Sequence, residues 1–534
     1  MIPVFPLKEL ILIICTLIIS TNNSFANLLS ACQYKTYYKE KATLIASVNR
    51  KSEYNNLSDL SFGYNIELAQ TLNSKGNYYS GEMVSLIKRI QPNSLRYPGG
   101  TTSNYFDWDN EQLDEVSIDK YANEHIAKLR NRIKKTNNNS LPKAKLKTFS
   151  KLVSEFGIRP YVVLNMFSSI EEIIKAINKT KTSVNSGIRW ELGNELFFKH
   201  YTERLSDNGI RWSVDQYISK IRIISKYIKR NYPGDLIGIS ISDLADWRNP
   251  YSTPTGSTTN YRNIWDIKLS AVSELVDAVI IHPYIYTHDD IIDELQELRC
   301  LSISEDRDFY KSLWTISNIT YLPTKYLNKI ESLFGGKKIW ITELGLYDDW
   351  THYNIDEKKK QHTWERMLHI VSLYVSWLQQ YPKVDTLLTH GLFDGYSWTH
   401  AIYPTGSLTS NGLSYYLVKE YLNKVKSIAP ISIDTNNVYS GVDRYSELPI
   451  EFVTGLFGLT ESDKKIAIII NSSQQVVNLE LQWKIGVIEE AHYLKNKQIS
   501  MKTSVVDEIY TRKNVNSHSV HLKPLSISLF YEAK

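Results

Sequence analysis

Two glutamates in this 534-residue sequence each stand at the end of an apolar segment. Glu195 ends IRWELGNE (188–195), and Glu343 stands near the end of KIWITELG (338–345). Where two carboxyl groups share a site, one can protonate a departing oxygen while the other attacks an anomeric carbon. The pair therefore predicts hydrolysis of a glycosidic bond, provided that the fold brings the two side chains together.

The segments between residues 60 and 425 predict the elements that would position these carboxylates. Amphipathic helical patterns alternate with eight apolar, strand-like stretches: SFGYNIE (61–67), LRYPGG (95–100), RPYVVLNM (159–166), IRWELGNE (188–195), IGISIS (237–242), AVIIHPYI (278–285), KIWITELG (338–345) and VDTLLTHGLF (384–393). This alternation predicts a parallel sheet, and eight repeats fit the α/β fold of a closed (β/α)₈ TIM barrel. An open doubly wound sheet is the alternative, but its glycine fingerprint is missing after the first strand.

Polar residues collect at the carboxyl ends of the predicted strands. The residues at or near these ends are Asn65, Asn165, Asn194, Glu195, His282, Tyr284, Glu343, His390 and, in the loop after the eighth strand, Trp398, while Arg96 stands at the start of the second strand. Because the working groups of such barrels lie at the carboxyl-end face, we expect these side chains to converge there. Gly193 allows the chain to turn tightly, so that Asn194 and Glu195 can both face the mouth.

Several motifs around the two carboxylates resemble a known group of enzymes. GNE on the fourth strand and TE on the seventh resemble the clan of retaining glycosidases with (β/α)₈ barrels. Within that clan, RYPGGTTSNYFDW (96–108), FGYNIE (62–67) and WELGNE (190–195) look most like the heparanase and β-glucuronidase family. LKPLSISLFY, near the end of the chain, is similar to the C-terminal β-sandwich of that family, so the resemblance spans roughly residues 43–534.

The resemblance implies roles for five residues. Glu195 would be the acid/base and Glu343 the nucleophile of a double displacement. Asn194 would bind the 2-hydroxyl of the sugar, and Tyr284 would donate a hydrogen bond to the nucleophile. Arg96 would lie beside Glu343 and lower the pKa of its carboxyl group, as a nearby cation does. This chemistry requires no cofactor.

Three further side chains complete the predicted site. We expect His282 to shape the pocket rather than to transfer protons, because the two glutamates already fill the acid and base roles. Trp398 is predicted to form the floor of the sugar site, with packing of its own long loop as the alternative. Glu191 stands deeper in the fourth strand and is predicted to pair with a buried cation.

The sequence does not determine which sugar the predicted enzyme acts on. ITELG (341–345) resembles arabinofuranosidase and xylosidase relatives more than heparanase, and Leu196-Phe197-Phe198 follows GNE where heparanase-like proteins often continue with Pro-Asn. We predict a β-glucuronidase or heparanase-like enzyme acting on a poly- or oligosaccharide, with an arabinofuranosidase, xylosidase or glucosidase as the alternative. A carbohydrate-binding protein on an inactive barrel is the hypothesis from another class.

The N-terminus predicts export. Residues 1–26 resemble a secretory signal, with Lys8 before an apolar run and a small-x-small cleavage site ending at Ala26. Cleavage there would leave a secreted or periplasmic protein without a transmembrane span. LSAC (29–32) also resembles a lipobox, so a lipid anchor at Cys32 on a surface lipoprotein is the alternative.

The C-terminal region predicts a second domain. After the barrel (60–425), residues 426–534 show strand patterns with polar breaks and no long helix, which indicates a β-sandwich. The N-terminal segment 27–59 is predicted to join this sandwich through TLIASVNR (43–50). The net charge of +5 comes without a long Lys/Arg block, which argues against nucleic-acid binding. The sequence shows no His/Cys cluster that would indicate a metal site.

Overall fold

A computed structural model describes residues 43–66, 81–115, 118, 131, 145–198, 212–242, 257–287, 304–348, 363–392, 400–402, 407–435, 453–473, 475–492 and 511–533. The predicted signal (1–26), Cys32 and Trp398 lie outside these described residues.

The strands alternate with helices through most of the chain and then follow one another near its end. In chain order they are β1 (Thr43–Arg50), β2 (Asn55–Asn56), β3 (Ser61–Asn65), β4 (Ser94–Tyr97), β5 (Phe106–Asp107), β6 (Gln112–Leu113), β7 (Arg159–Val163), β8 (Arg189–Glu191), β9 (Leu236–Ser240), β10 (Ala278–Ile281), β11 (Tyr284–Thr287), β12 (Lys338–Asp348), β13 (Val384–His390), β14 (Ala401–Ile402), β15 (Ser407–Leu408), β16 (Ser427–Thr435), β17 (Val453–Leu459), β18 (Lys465–Asn471), β19 (Val476–His492), β20 (Thr511–Leu522) and β21 (Ser526–Glu532).

The helices cover the outside of the first, parallel sheet. They are α1 (Gly81–Ile90), α2 (Leu146–Phe156), α3 (Ile170–Ser183), α4 (Val214–Asn231), α5 (Ser257–Ser270), α6 (Ser304–Phe334), α7 (Trp364–Leu378) and α8 (Ser410–Lys424). Helix α4 shows why they form: Ser213 and Gln216 make a reciprocal capping box at its start, and Tyr217, Ile221 and Ile224 are buried on one face. Within the described residues, no helix combines the length and apolar composition needed to cross a membrane.

Eight parallel strands close into a barrel in the order β3, β4, β7, β8, β9, β10, β12 and β13. The barrel closes where β13 pairs with β3, and β10 pairs directly with β12. Each of the eight strands overlaps one of the eight predicted segments, so the prediction of a (β/α)₈ barrel is confirmed. Its interior is filled by Tyr161, Ala278, Ile280, Trp340 and Leu388.

The sixth barrel strand differs from its prediction. The segment 278–285 was expected to form one strand, but the structure breaks it at His282 and Pro283 into β10 and β11. Proline has no N–H to give to the ladder, and Tyr284 N instead bonds to His282 O at 3.0 Å. Both pieces pair with the long strand β12, so the break leaves His282 and Tyr284 at the barrel mouth.

A second, mainly antiparallel sheet follows the barrel. Its order is β1, β16, β17, β18, β21, β19 and β20, and β1 also pairs in parallel with the first half of β19. The sheet therefore folds back on itself around an apolar interior that includes Phe457, Trp483 and Phe530. The prediction of a C-terminal β-sandwich domain is confirmed, and the segment TLIASVNR lies in it as β1.

The two domains share an apolar core. Helix α7 is buried along its whole length, because it lies between the barrel and the second sheet. Trp364 Nε1 donates to Leu525 O at 2.8 Å, and Gln379 Nε2 donates to Thr454 Oγ1 at 2.9 Å. The second sheet thus supports the helix layer behind the last barrel strands.

Candidate active site

Glu195 and Glu343 meet at the carboxyl-end mouth of the barrel. Glu195 follows β8, and Glu343 lies in β12, three positions further around the barrel. Glu195 is 8% and Glu343 5% exposed. An oxygen of each carboxylate and a ring nitrogen of His282 all lie within 4.8 Å of one another. The structure thus brings together two predicted carboxylates that are 148 residues apart (343 minus 195) in the sequence.

The backbone after β8 takes an unusual path that aims Asn194 and Glu195 into the mouth. Gly193 has φ 83°, and Glu195 has φ 48°, a value that residues with a Cβ rarely adopt. A Cβ on Gly193 would lie 2.6 Å from Cδ1 of Leu196, so a larger residue would have to displace the Leu196 side chain as well as adopt an unfavourable φ. This matches the expectation that Gly193 permits a tight turn at the end of the strand.

Asn104 fixes the position of Asn194. Its Nδ2 donates to Asn194 O at 2.6 Å, and its Oδ1 accepts from Asn194 N at 3.0 Å. The Asn194 side chain accepts from Arg96 Nη2 at 2.7 Å, and its Nδ2 lies 3.4 Å from Glu195 Oε2. Sequence analysis assigned no role to Asn104, although it stands within the quoted RYPGGTTSNYFDW motif.

Arg96 is fully buried and joins three of the predicted residues. It donates to both oxygens of Glu191, at 2.9 and 2.8 Å, and its Nη1 donates to Glu343 Oε1 at 2.6 Å. Burial alone would lower the pKa of Arg96, but the two carboxylates outweigh it and raise the pKa. Arg96 is therefore a permanent cation, and Glu191 is the carboxylate that balances it beneath the site.

Glu343 is surrounded by groups that favour its ionised form. Tyr284 donates its hydroxyl to Oε2 at 2.6 Å, and Asn65 Nδ2 lies 3.3 Å from Oε1, which also accepts from Arg96. Burial by itself would raise the pKa of Glu343, but the histidines His282 and His390, Arg96 and the Tyr284 hydroxyl together lower it to about 2. Glu343 is consequently a carboxylate at neutral pH, and its Oε2 lies 3.8 Å from Nδ1 of His282.

His282 bridges the two carboxylates. Its Nδ1 lies 2.8 Å from Glu195 Oε1 and 3.8 Å from Glu343 Oε2, while its Nε2 lies 3.0 Å from Thr342 Oγ1. Burial lowers the pKa of His282, but the charges of Glu343 and Glu195 outweigh burial and raise it. His282 is thus placed to hold a proton next to Glu195.

Asn65 and His390 extend the site beyond the residues to which sequence analysis gave a role. Both stand at predicted strand ends, and Asn65 Nδ2 lies 3.0 Å from His390 Nδ1. Because the amide nitrogen of Asn65 also faces Glu343, it donates to His390 Nδ1, which places the ring hydrogen of His390 on Nε2. Burial lowers the pKa of His390 to about 4 despite the opposing charge of Glu343, so this ring is neutral at physiological pH.

A bulge in β12 explains why Thr342 was missed. Pairing with β13 passes from Ile341 opposite Leu387 to Leu344 opposite Thr389, so three steps on β12 match two on β13. Strict alternation would send Thr342 and Glu343 to opposite faces. With the extra residue, Thr342 reaches His282 and Glu191 while Glu343 reaches the mouth. A single sequence carries no signal for this bulge.

The site contains its own cation. Glu195, His282 and Glu343 could each offer one ligand atom to a metal ion. Arg96 Nη1, however, already lies 2.6 Å from Glu343 and neutralises that carboxylate. Of the other predicted residues, Asn165 is buried and donates to Phe106 O at 3.3 Å, which supports the loop after β4.

Neither a protein-family model nor a curated protein matches this sequence. Solved structures match its fold. An α-L-arabinofuranosidase from Thermotoga maritima is 14% identical, with 92% of this chain and 99% of that chain covered at a TM-score of 0.62. An arabinofuranosidase of family GH51 from Xanthomonas axonopodis pv. citri is 13% identical over 92% and 100%, with a TM-score of 0.63. A 4-O-α-L-rhamnosyl-β-D-glucuronidase from Fusarium oxysporum is 13% identical over 92% and 99%, with a TM-score of 0.53. At these identities the likeness establishes the shared fold.

Proposed function

We propose that this chain is a retaining glycoside hydrolase. The observation that carries the proposal is the approach of Glu195 and Glu343, whose nearest oxygens lie within 4.8 Å. Retaining enzymes hold their two carboxyl groups about 5–5.5 Å apart, whereas inverting enzymes need roughly 6.5–9.5 Å to admit a water molecule. The ionised Glu343 suits the role of nucleophile, and Glu195, 2.8 Å from a ring nitrogen of His282, suits the role of acid.

In the first step, Glu343 Oε2 attacks the anomeric carbon and the bond from that carbon to the leaving oxygen breaks. Glu195 gives its proton to the leaving oxygen, which departs as a hydroxyl group. Arg96, bound to Oε1 of Glu343, holds the carboxylate in place while its charge is used up in the new ester bond. Asn194 is placed to bind the hydroxyl next to the anomeric carbon, a contact that strengthens in the transition state.

In the second step, Glu195 acts as a base. It takes a proton from water, the water oxygen attacks the anomeric carbon, and the ester bond to Glu343 breaks. Two inversions leave the configuration of the sugar unchanged. Tyr284 then donates again to the carboxylate that is released, because its hydroxyl lies 2.6 Å from Oε2.

For the sugar, the resemblance of the motifs supports a β-glucuronidase or heparanase-like specificity. The fold supports a second candidate, because two structural neighbours with TM-scores of 0.62 and 0.63 are arabinofuranosidases, against 0.53 for the glucuronidase. Both candidates use a poly- or oligosaccharide as substrate. A non-catalytic carbohydrate-binding protein on the same barrel is the competing class of function.

Hydrolysis of aryl glycosides tests the proposal. The panel contains the β-glucuronide, β-glucoside, β-xyloside and α-L-arabinofuranoside, with oligosaccharides of each sugar alongside, and Glu343→Gln serves as the control. We expect one glycone to be released with retention by the native protein and not by the variant. Equal release by both proteins would contradict the assignment of Glu343. Binding of a glycan without turnover on any substrate would favour the binding protein.

We also propose that the protein is exported after removal of residues 1–26. The apolar run and the small-x-small site before residue 27 support this. Mass spectrometry of the protein recovered from its producing cells tests it. A mature chain that begins at Asn27 agrees with secretion, a lipid-bearing Cys32 with a surface lipoprotein, and an intact Met1 contradicts both.

A further inference from the structure

A buried row of polar groups leads from Arg96 to the acid. Arg96 donates twice to Glu191, and Thr342 Oγ1 lies 3.3 Å from Glu191 Oε2. The same hydroxyl lies 3.0 Å from His282 Nε2, and His282 Nδ1 lies 2.8 Å from Glu195 Oε1. Arg96, Glu191, Thr342, His282 and Glu195 are all buried.

The direction of each hydrogen bond follows from what each group can donate. Glu191 is paired with Arg96 and is an acceptor only, so Thr342 gives it the single hydroxyl hydrogen. The oxygen of Thr342 must then accept from His282 Nε2. Nε2 therefore carries a hydrogen in either charge state of His282, and Nδ1 is the nitrogen that gains and loses a proton. That nitrogen faces Glu195.

We infer that His282 and Glu195 share one acid proton between Nδ1 and Oε1, and that Thr342 and Glu191 are positioning residues that keep Nε2 protonated. The charge of Glu343 controls whether the pair keeps this proton. The inference deepens the proposed function, on which its catalytic consequence rests. It gives His282 a part in proton handling that sequence analysis assigned to the glutamates alone.

The charges around His282 support the inference that Glu343 controls the proton of the pair. Glu343 from β12 lies 3.8 Å from Nδ1 and Glu195 lies 2.8 Å away, and both favour the protonated ring. Arg96 from β4 opposes them, and His390 from β13 is neutral because its pKa is about 4. Of these groups, Glu343 is the one whose charge the reaction removes.

The proton balance fits both chemical steps. Before the reaction Glu343 is negative, and the pair of His282 and Glu195 holds one proton. In the first step the pair gives this proton to the leaving oxygen, while Glu343 becomes a neutral ester. The ester no longer attracts a proton to the pair, so the pair stays deprotonated and can accept one from water in the second step. Release of Glu343 as a carboxylate then restores the original state.

Nitrogen NMR of ¹⁵N-histidine-labelled full-length protein tests the inference without any substrate. The His282 signals are assigned by their loss in His282→Gln. In native protein we expect Nε2 to be protonated on both sides of the titration and Nδ1 to titrate. In Glu343→Gln we expect the His282 midpoint to fall by about one pH unit or more, because one favourable charge is gone.

Changes at Thr342 test the positioning role. Thr342→Val should populate the tautomer with hydrogen on Nδ1, and Thr342→Ser should restore the native signals. Thr389→Val is the matched control: it also removes a buried hydroxyl of the barrel, one that bonds Tyr374 and His400, and should leave the His282 tautomer unchanged.

Two results would overturn the inference: a neutral His282 with hydrogen on Nδ1 in the native protein, or an unchanged midpoint in Glu343→Gln. Because these signals need no turnover, the inference can fail while the glycosidase proposal stands. Conversely, if no glycoside of the panel is hydrolysed, the NMR signals can still show the shared proton, but the proton then has no role in hydrolysis. If hydrolysis is found, Thr342→Val should move the alkaline limb of the pH profile of kcat/KM to lower pH, and Thr342→Ser should not.

Discussion

Tyr284 donates its hydroxyl to Oε2 of Glu343 at 2.6 Å, on the oxygen that lies 3.8 Å from Nδ1 of His282. The bond favours the ionised carboxylate and helps to hold the pKa of Glu343 at about 2. Tyr284→Phe removes a hydrogen bond to the charged form, so the pKa must rise. We therefore expect the acid limb of kcat/KM to move to higher pH and kcat to fall roughly 10²-fold, as on loss of one well-placed donor.

This prediction is checked by pH profiles of native protein and Tyr284→Phe on the same aryl glycoside. Tyr374→Phe is the control, because Tyr374 is buried on α7, behind the barrel strands, and bonds Thr389 and His400 rather than Glu343. Superimposable acid limbs for native protein and Tyr284→Phe would show that the hydroxyl does not set the pKa of the nucleophile.

Arg96→Met should destabilise the barrel by about 3–5 kcal/mol, since it leaves two buried carboxylates without their cation. Denaturant unfolding measures this change in the free energy of unfolding. Arg50→Met is the control, because the Arg50–Glu53 pair is exposed at 37% and 89%, and such pairs contribute less than about 1 kcal/mol. Arg96→Lys should recover little of the lost free energy of unfolding, because lysine cannot make the bidentate contact with Glu191. A loss below about 1 kcal/mol for Arg96→Met would rule out this role.

Azide should distinguish the two carboxylates by stereochemistry. Glu195→Ala should slow turnover on the order of 10²–10⁴-fold, and azide should restore activity on a substrate with a good leaving group to give the retained glycosyl azide. Glu343→Ala should be rescued with the inverted glycosyl azide, because azide then attacks the sugar directly. Proton NMR of the anomeric position reads the outcome. The opposite pattern would exchange the assigned roles of acid/base and nucleophile.

Gly193→Ala should misplace Asn194 and Glu195. The new Cβ would lie 2.6 Å from Leu196 Cδ1 at φ 83°, so we expect kcat/KM to fall more than tenfold. Gly157→Ala is the control: its φ is 62° but no atom lies within 4 Å of the added Cβ, so it should cost about 1 kcal/mol of stability and leave kcat/KM unchanged. If the double variant Gly193→Ala/Leu196→Ala partly recovers activity, the loss in Gly193→Ala is due to the clash with Leu196. Equal kcat/KM for Gly193→Ala and the control Gly157→Ala would refute the prediction.

Sequence periodicity determined the barrel because each strand is an apolar run that helices cover on the outside, and such runs are readable one at a time. It failed at His282 and Pro283, where one predicted strand became β10 and β11, since a missing N–H interrupts pairing without interrupting the apolar pattern. The sequence did not determine the sugar specificity either, because some motifs resemble the heparanase and β-glucuronidase family while ITELG resembles arabinofuranosidase and xylosidase relatives.

The sequence by itself determined which residues stand at strand ends, and so predicted that Glu195, Glu343, Asn194 and Tyr284 meet at one mouth, while the family resemblance predicted that Arg96 lies beside Glu343. Only the tertiary structure decided their protonation and their partners. Those depend on distances between strands that are far apart in the chain, such as 2.6 Å from Arg96 to Glu343 and 2.8 Å from His282 to Glu195. They depend also on a bulge in β12 that turns Thr342 inward, and no local pattern encodes either.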